Sequence, residues 1–588
     1  MRRNAVFALG VQLSGALFTG AMTLFLVRAL GPEEFGIFAV ALAVSGLILL
    51  PSDFGVSQSA ARFIAERRGN PTAVGEVLGD ALTLKLIGSS AVSAALFAAA
   101  APIAELYGDG PNLVWPLRWI AIAVFAQSVM TLFTTSFVAL GRTSISFRLV
   151  FSESAVEAGA TVALVLLGTG VAGASLGRAV GFAFGALGGV YLMLRLLGRR
   201  SVGVGRRPGQ RLRRLAGYAG ALFIIDGAWA LYSKLDVVLI GAILGAGSAG
   251  VYAAPVKVLA FVAYPSISAA AAVAPRLARH ERHPPDVPAF HAGLRYLIIV
   301  QFPITVLVLV WAEPITSLVL GSGYAESAGV MRALAPWVLL SSIAPMLALG
   351  VNYLGEARRR IPLAIGAVVI DIAILLALID SLGVLAGAIG TDIALFVYVL
   401  GHLHICRGLV GLEVGALLLT TARSAVAAGA MATVLLAVGT SGLAPGLYLV
   451  AGAGGLAAYL AMIVLAGEVS LAELSSARRI LGSVLGRPAA PAPVAPATAP
   501  ATPVPGASAP PRNEEALTPY LQGRGPSLRR FPGFLLLHAS CGGGFDIVPA
   551  GDPGTGAFVA TCLGCGKRFE FRSQALEPTR GDDHPDTG

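Results

Sequence analysis

The sequence predicts an all-α, polytopic membrane protein of about 14 transmembrane helices, followed by a small β-rich C-terminal domain. Three observations carry this prediction. The 588 residues are 56% apolar and only 13% charged, with a mean hydropathy of +0.78, which no ordinary soluble domain shows. Basic residues recur in alternate loops. The stretch "ALGPEEFGIFA" at 29–39 returns as "ILGAGSAGVYA" at 243–253.

Apolar runs long enough to cross a bilayer follow one another through the first 466 residues. A hydrocarbon core of about 30 Å takes about 20 helical residues, whereas barrel strands would be shorter and would alternate in polarity. Fourteen spans are predicted near 5–28, 35–56, 77–104, 113–140, 147–168, 171–195, 216–244, 250–274, 291–312, 329–353, 361–379, 382–405, 423–440 and 444–466. The separations at 168–171 and 379–382 are short, so twelve or thirteen spans stay open.

The net charge of +10 is concentrated at the ends of the spans. Arginines cluster in every second loop, for example from 195 to 214 and at 358–360, and the loops between them carry almost none. Alternation of this kind is the positive-inside pattern, and it predicts that both termini are cytoplasmic. It also argues against a nucleic-acid partner. The first apolar run leads directly into the next span, so we do not expect a cleaved signal peptide.

The two quoted stretches lie 214 residues apart, and at the same offset Arg62 falls on Arg276. This register predicts a duplication of two six-helix units. An even number of spans per unit gives both units the same orientation, with a cavity between them at mid-depth. The predicted division is an N-terminal lobe (1–214), a C-terminal lobe (215–422) and two additional spans (423–466).

The repeated motif itself is predicted to form a structural corner. Gly31 and Gly36, like Gly245 and Gly250, would permit a tight reversal and a close approach of helices. The aromatic residue at position 38 or 252 would anchor at the membrane interface.

Residues 25–66, "FLVRALGPEEFGIFAVALAVSGLILLPSDFGVSQSAARFIAE", and 235–258, "LDVVLIGAILGAGSAGVYAAPVKV", resemble the first and seventh span regions of the polysaccharide-transporter flippases. Their superfamily also contains lipid II flippases and multidrug and toxic compound extrusion antiporters. The resemblance covers roughly residues 1–466. It implies movement of undecaprenyl-diphosphate-linked oligosaccharide between the membrane leaflets by alternating access, for cell-surface polysaccharide biosynthesis. It also places Asp236 where the family commonly has an acidic residue.

Several charged residues fall inside predicted spans, where a charge costs about 2.5–3.5 kcal/mol unless it faces water or a partner. Arg178, Lys234 and Lys257 are the candidates for binding a diphosphate, because Arg clamps phosphate oxygens and Lys supplies a point charge. Asp226 and Asp236 are the candidates for a coupling ion, proton or sodium. The alternative is that these charges pair between helices or reach the interface. Lys85, Arg118 and Glu153 are assigned to span ends and to such ordinary roles.

The C-terminal region divides into a predicted amphipathic helix (467–487), a Pro/Ala-rich linker (488–511) and a small domain (512–588). His538, Cys541, Cys562 and Cys565 form H-x2-C and C-x2-C pairs, which predict a zinc-ribbon-like site with four N or S ligands. A redox C-x-x-C and free thiols remain the alternatives. We expect a recognition or regulatory role, with glycan-assembly proteins as candidate partners.

The leading prediction is therefore a flippase of the bacterial cytoplasmic membrane whose ligands are a lipid-linked oligosaccharide and membrane lipids. A small-molecule antiporter of the same superfamily is the near alternative. A glycosyltransferase or polymer ligase, or a membrane scaffold for the tail, is less favoured. The outer loops are short and no G-x4-GK[ST] motif occurs, so we expect no enzyme and no cofactor for transport.

Overall fold

The computed structural model describes residues 2–108, 111–198, 209–278, 285–470, 473, 545–549, 557–562 and 568–572. These residues form sixteen α-helices and three β-strands. The elements are α1 (Arg2–Asp53), α2 (Val56–Glu66), α3 (Pro71–Leu106), α4 (Pro111–Ala139), α5 (Thr143–Leu164), α6 (Gly170–Leu197), α7 (Gly209–Leu244), α8 (Ala246–Val273), α9 (Val287–Val310), α10 (Ala312–Val319), α11 (Ser327–Ala333), α12 (Ala335–Tyr353), α13 (Ile361–Leu382), α14 (Leu385–Val410), α15 (Val414–Val438), α16 (Pro445–Leu465), β1 (Phe545–Pro549), β2 (Ala557–Cys562) and β3 (Arg568–Arg572).

Twelve helical segments in the described part of the chain are long and apolar enough to cross a membrane. Two of them are interrupted: Leu17–Asp53 at Gly31, and Thr143–Leu197 by a π-helical turn at Val165–Thr169 that contains Gly168. If the two sides of each interruption are counted separately, the predicted number of fourteen results. The prediction of a helical, multi-span membrane protein is confirmed, whereas the number of spans stays a prediction.

The backbone has the same unusual conformation at the two copies of the repeated motif. Gly31 has φ 72° and ψ 177°, and Gly245, 214 residues later, has φ 89° and ψ 169°. Side chains with a Cβ rarely adopt a positive φ of this kind, so glycine suits both positions. The shared conformation supports the predicted duplication.

The second glycine of each motif lies at a close crossing of α1 and α8. A Cβ on Gly36 would stand 2.7 Å from the carbonyl carbon of Ala246 and 2.9 Å from the nitrogen of Gly250. A Cβ on Gly250 would stand 2.9 Å from the carbonyl carbon of Pro32 and 3.1 Å from the nitrogen of Gly36. Pro32 and Ala246 are themselves 214 residues apart. The two copies of the motif therefore pack against each other, each using the same positions.

The aromatic residues of the motif do not anchor at the interface, so that prediction was wrong. Phe38 and Tyr252 are 6% and 2% exposed, and both belong to the core around the α1–α8 crossing. The buried phenol of Tyr252 can be accommodated there because its hydroxyl donates a hydrogen bond to Asp236, at 2.7 Å.

The additional helices α15 and α16 pack on α9, and one buried carboxylate ties this group together. Glu468 accepts hydrogen bonds from Arg295 of α9 at 2.8 Å, and from Thr420 and Arg423 of α15 at 2.7 and 3.1 Å. Burial alone would raise the pKa of Glu468, but these hydrogen bonds outweigh it and lower the pKa below its usual value. We call Glu468, Arg295, Thr420 and Arg423 the C-terminal clasp.

The residues after the C-terminal clasp begin with a capping box. The backbone N–H of Ser470 donates to the carboxylate of Glu473 at 2.8 Å, and the backbone N–H of Glu473 donates to the Ser470 hydroxyl at 3.2 Å. Reciprocal bonds of this type mark the start of a helix. Of the predicted helix 467–487, only residues 467–470 and 473 are among the described residues, and the linker 488–511 lies outside them.

Contacts divide the chain into two units, Met1–Gly482 and Ser483–Gly588. In the second unit the described residues form an antiparallel sheet of order β1-β2-β3, in which Phe545 pairs with Cys562 and Thr561 pairs with Arg568. The finer division into lobes at 214 and 422, the additional spans to 466 and the tail domain from 512 stays a prediction.

Candidate functional site

The three predicted diphosphate-binding cations lie in one region, although they come from three helices. Arg178 is on α6, in the predicted N-terminal lobe, and Lys234 and Lys257 are on α7 and α8, in the predicted C-terminal lobe. Lys257 is close enough to be repelled by both other cations, and Lys234 is repelled by Arg178. Like charges held together inside an apolar bundle are unfavourable unless an anion can neutralise them.

Arg178 is partly neutralised by a partner on the neighbouring helix. Its Nη1 lies 2.7 Å from Oε1 of Glu157 on α5, and its guanidinium carbon lies 4.8 Å from the ring centre of Phe182. The helices can approach because Gly181 of α6 faces the backbone of Glu157, where a Cβ would stand 2.5 Å from that residue's own Cβ. The alternative that the charges pair between helices therefore holds for Arg178.

Lys234 and Lys257 have no carboxylate partner in the part of the chain that the structure describes. The side chain of Lys234 passes over Gly46 of α1, and a Cβ added at position 46 would lie 3.1 Å from the Lys234 Cε. A larger residue at 46 would displace the lysine, so glycine helps to fix its position. Among the described residues these two ammonium groups have no carboxylate partner, so an anionic ligand could neutralise them.

Glu153, one helical turn before Glu157, was predicted to have an ordinary role at a span end, but it is 4% exposed and lies next to the cations. Its Oε2 accepts a hydrogen bond from Ser154 at 3.1 Å, and its Oε1 has no partner among the described residues. It interacts electrostatically with both Glu157 and Arg178. Glu153 therefore belongs to the charged region around Arg178.

Lys85 also departs from its predicted place near a span end. Its side chain is fully buried in the middle of α3, where the ammonium group forms an ion pair with Asp53 and donates to Ser128 at 2.9 Å. Arg118 lies over the rings of Phe97 and Trp115, at 5.2 Å from each ring centre. These cations have partners within their own region and do not join the cluster of Arg178, Lys234 and Lys257.

Asp236, the predicted coupling residue on α7, lies in a separate polar cluster. It is 6% exposed. Its Oδ2 accepts hydrogen bonds from Tyr252 and Thr391, both at 2.7 Å, and its carboxyl interacts directly with that of Asp371 on α13. Oδ1 of Asp371 has no hydrogen-bond partner within the described ranges. Two buried carboxyls in contact need a shared proton or a bound cation.

Asp371 and Asp392 also fall within predicted spans, but nothing in the sequence assigns them to a site. Asp392 is one residue from Thr391, and its Oδ1 also lacks a partner among the described residues. The only sequence signal for these two residues was their position within apolar runs. The sequence does not show that α7, α13 and α14 pack together. The second predicted coupling residue, Asp226, is on α7, and its side chain lies outside the described residues.

The predicted zinc ligands fall almost wholly outside the described residues. Only Cys562, the last residue of β2, is included, and His538, Cys541 and Cys565 are not. Zinc binding therefore stays a prediction. In the described ranges no cluster of three His, Cys, Asp or Glu residues suits a metal ion, and Cys406 is a buried free thiol.

The arrangement described above can be compared with known proteins. Residues 1–281 match the family model of the polysaccharide biosynthesis proteins. No curated protein matches the chain by sequence. The matched residues include α1 to α8, and thus Arg178, Lys234, Lys257 and Asp236.

The fold is similar to solved transporters and flippases. The lipid II flippase MurJ in an inward closed conformation aligns with a TM-score of 0.62 and 13% identity, covering 78% of this chain and 98% of that one. A multidrug resistance MATE family transporter of the MOP superfamily, in an inward-facing conformation, aligns with a TM-score of 0.55 and 16% identity, covering 68% and 96%. A MATE structure in the bent conformation aligns with a TM-score of 0.50 and 17% identity, covering 68% and 94%. These likenesses show that the chain has the fold of these solved membrane proteins.

Proposed function

We propose that this protein is a flippase for a lipid-linked oligosaccharide whose diphosphate is bound by Arg178, Lys234 and Lys257. The observation that carries the proposal is the mutual electrostatic repulsion of these three cations, two of which have no carboxylate partner in the described part of the chain. A diphosphate supplies the negative charge that the cluster lacks. The match of residues 1–281 to polysaccharide biosynthesis proteins supports an oligosaccharide as the remainder of the substrate.

The three cations would have different roles in binding the diphosphate, because arginine and lysine differ in chemistry. Arg178 is held by Glu157 at 2.7 Å, so its guanidinium is oriented before the substrate arrives and can present its remaining N–H groups to phosphate oxygens. Lys234 and Lys257 would follow the phosphate as point charges on flexible stems. Because Arg178 and the lysines lie on different predicted lobes, one diphosphate would bridge the two halves of the transporter.

Access would alternate between the two ends of the bundle. At the end of α1 and α8 that contains Gly36 and Gly250, the helices are in backbone contact, so that end is closed. The substrate would therefore enter from the opposite end, and separation of the two glycines would release it. Asp236 and Asp371 would hold the coupling ion, a proton or sodium, because two neighbouring buried carboxyls repel each other when both are ionised and no cation is bound between them.

The alternatives fit this arrangement less well. A multidrug antiporter that exports cations would be opposed by Lys234 and Lys257, which have no carboxylate partner among the described residues. A glycosyltransferase or ligase is not what the solved relatives are, and a non-enzyme is the better expectation. We place the protein in the bacterial cytoplasmic membrane with both termini cytoplasmic, on the basis of its arginine-rich loops.

The proposal is tested by binding and transport with the purified full chain. Lys234→Ala and Lys257→Ala are each expected to weaken binding of undecaprenyl diphosphate about tenfold or more, since a hydrogen bond to a charged group contributes about 1.5–3 kcal/mol. They should also slow translocation of a fluorescent lipid-linked sugar in proteoliposomes. Arg358→Ala is the matched control, because it removes one exposed positive charge away from the cluster. Equal affinity in all three variants would contradict the proposal.

A further inference from the structure

A shallow apolar groove on the surface of the bundle lies close to one arginine. It runs between α7, α13 and α14, and Trp229, Tyr232, Ala364, Ala367, Leu395 and Tyr398 line it. Trp229 lies at the edge of this groove and is 51% exposed. Ile365 on α13 and Phe396 on α14 flank the groove and are also exposed. Exposed apolar side chains on spanning helices face lipid. We call this feature the aromatic groove.

Arg360 lies at the end of the aromatic groove. It precedes α13, and Ala364 and Ala367 follow it at helical spacing, so all three lie on one face of that helix. Its Nη2 donates to the hydroxyl of Tyr398 at 3.0 Å, and Tyr398 itself lines the groove. Ala367 lies seven positions after Arg360, which corresponds to about 10 Å of apolar surface along the helix.

The contacts of Arg360 leave its charge uncompensated. Nη1 donates to the side-chain oxygen of Asn352 at 2.7 Å, and Nε donates to Nε2 of His402 at 3.3 Å. Nδ1 of His402 lies 2.8 Å from the carbonyl of Tyr398 and would donate to it, so this imidazole can be neutral, with Nε2 as an acceptor. Three neutral groups thus orient the guanidinium, and no carboxylate pairs with it within the described ranges. Two of its five N–H groups remain for a ligand.

We propose that the aromatic groove and Arg360 form a binding site for an anionic phospholipid, with the phosphate on Arg360 and an acyl chain along the groove. The position favours a lipid over a soluble anion. Arg358, Arg359 and Arg360 mark this end of α13 as the one near charged headgroups, and apolar surface continues from it into the membrane. A guanidinium with two free donors suits a phosphate, and the groove suits the chain attached to it.

The site adjoins the acidic pair. The hydroxyl of Tyr232, on the floor of the aromatic groove, donates to the backbone carbonyl of Thr391 at 3.1 Å, and the side chain of Thr391 donates to Asp236 at 2.7 Å. A bound acyl chain would therefore contact Tyr232, which is hydrogen-bonded to Thr391, and Thr391 in turn holds Asp236.

Trp229 provides the measurement, because a brominated acyl chain in the groove would quench its fluorescence. The full-length protein is placed in nanodiscs that contain brominated phosphatidylglycerol or brominated phosphatidylcholine in otherwise equal lipid. Trp229→Phe identifies the part of the signal that belongs to this residue. We expect Trp229 to be half-quenched at about fivefold less phosphatidylglycerol than phosphatidylcholine, since one cation near the surface contributes about 1 kcal/mol toward an anionic lipid.

Two variants and one competitor decide the outcome. Arg360→Gln should abolish the preference for phosphatidylglycerol, whereas Arg359→Gln should keep it because Arg359 is paired with Glu356 at 3.0 Å. Ala364→Leu fills the groove and should reduce quenching by both lipids. An equal response to the two lipids in the unmodified protein, or a preference that survives Arg360→Gln, would overturn the proposal. Displacement of phosphatidylglycerol by millimolar inorganic phosphate would show that a soluble anion is bound instead.

Discussion

The crossing of α1 and α8 makes a sharp prediction about stability. Gly36→Ala would place a Cβ in overlap with the carbonyl oxygen of Ala246 and 2.7 Å from its carbonyl carbon, whereas ordinary contact begins at 3.4 Å. The helices must therefore separate by more than 0.7 Å at this point, since the obstructing atoms are backbone and cannot rotate away. Overpacking of this kind costs about 1–3 kcal/mol. A loss of about 2 kcal/mol would lower the folding equilibrium constant about 30-fold.

Unfolding of the purified protein in detergent, titrated with dodecyl sulfate and followed by circular dichroism, measures this loss. Gly250→Ala should cost a similar amount, because it meets the carbonyl of Pro32 across the same crossing. The double variant should cost less than the sum, since one separation relieves both contacts. Gly247→Ala is the matched control on α8, with no atom within 4 Å of its new Cβ. If Gly36→Ala is as stable as Gly247→Ala, the close crossing is not present.

Three further predictions concern other parts of the chain. Lys85→Met should destabilise the protein by about 2 kcal/mol or more, because it leaves the carboxylate of Asp53 without its cation. Adding Asp53→Asn should recover part of that loss in the same unfolding assay. Backbone and side-chain hydrogen bonds, chiefly from Ser470, lower the pKa of Glu473 to about 2. Its contribution to stability should thus be complete above about pH 4.5 and disappear as the pH falls toward 2, so that unmodified protein and Glu473→Gln converge in acid. Elemental analysis of the full chain should find about one zinc ion, which Cys565→Ser removes and Cys406→Ser retains; zinc content unaffected by Cys565→Ser would exclude the predicted ribbon.

The sequence predicted the class of fold well because length and polarity of a span are local properties. Each helix needs its own run of about 20 apolar residues, and the corner glycines show directly in the printed motif. The 214-residue register also paired Gly31 with Gly245, which share a backbone conformation, and Gly36 with Gly250, which lie at one helix crossing. What the sequence did not reveal is that Gly36 and Gly250 contact each other, since equivalence of two segments does not say that they touch.

The candidate site was predictable in its residue types but not in its pairings. Arg178 was chosen for its charge, and its partner Glu157 was visible only as an acidic residue on a neighbouring span. Asp371 could not be joined to Asp236 from sequence, because 135 positions separate two residues that tertiary packing brings into contact. Lys85 and Phe38 were misplaced for a related reason: depth along a helix does not show which face is buried.

The C-terminal clasp restricts which helices can move during a transport cycle. Arg295 and Arg423 share the carboxylate of Glu468, although they stand on α9 and α15. If one helix slid past the other by a single turn, one arginine would move about 5.4 Å away from Glu468. The buried carboxylate would then lose a charged partner. In the proposed transport cycle these helices should therefore move together as a rigid block, so that α15 and α16 follow α9 and do not open as a separate gate.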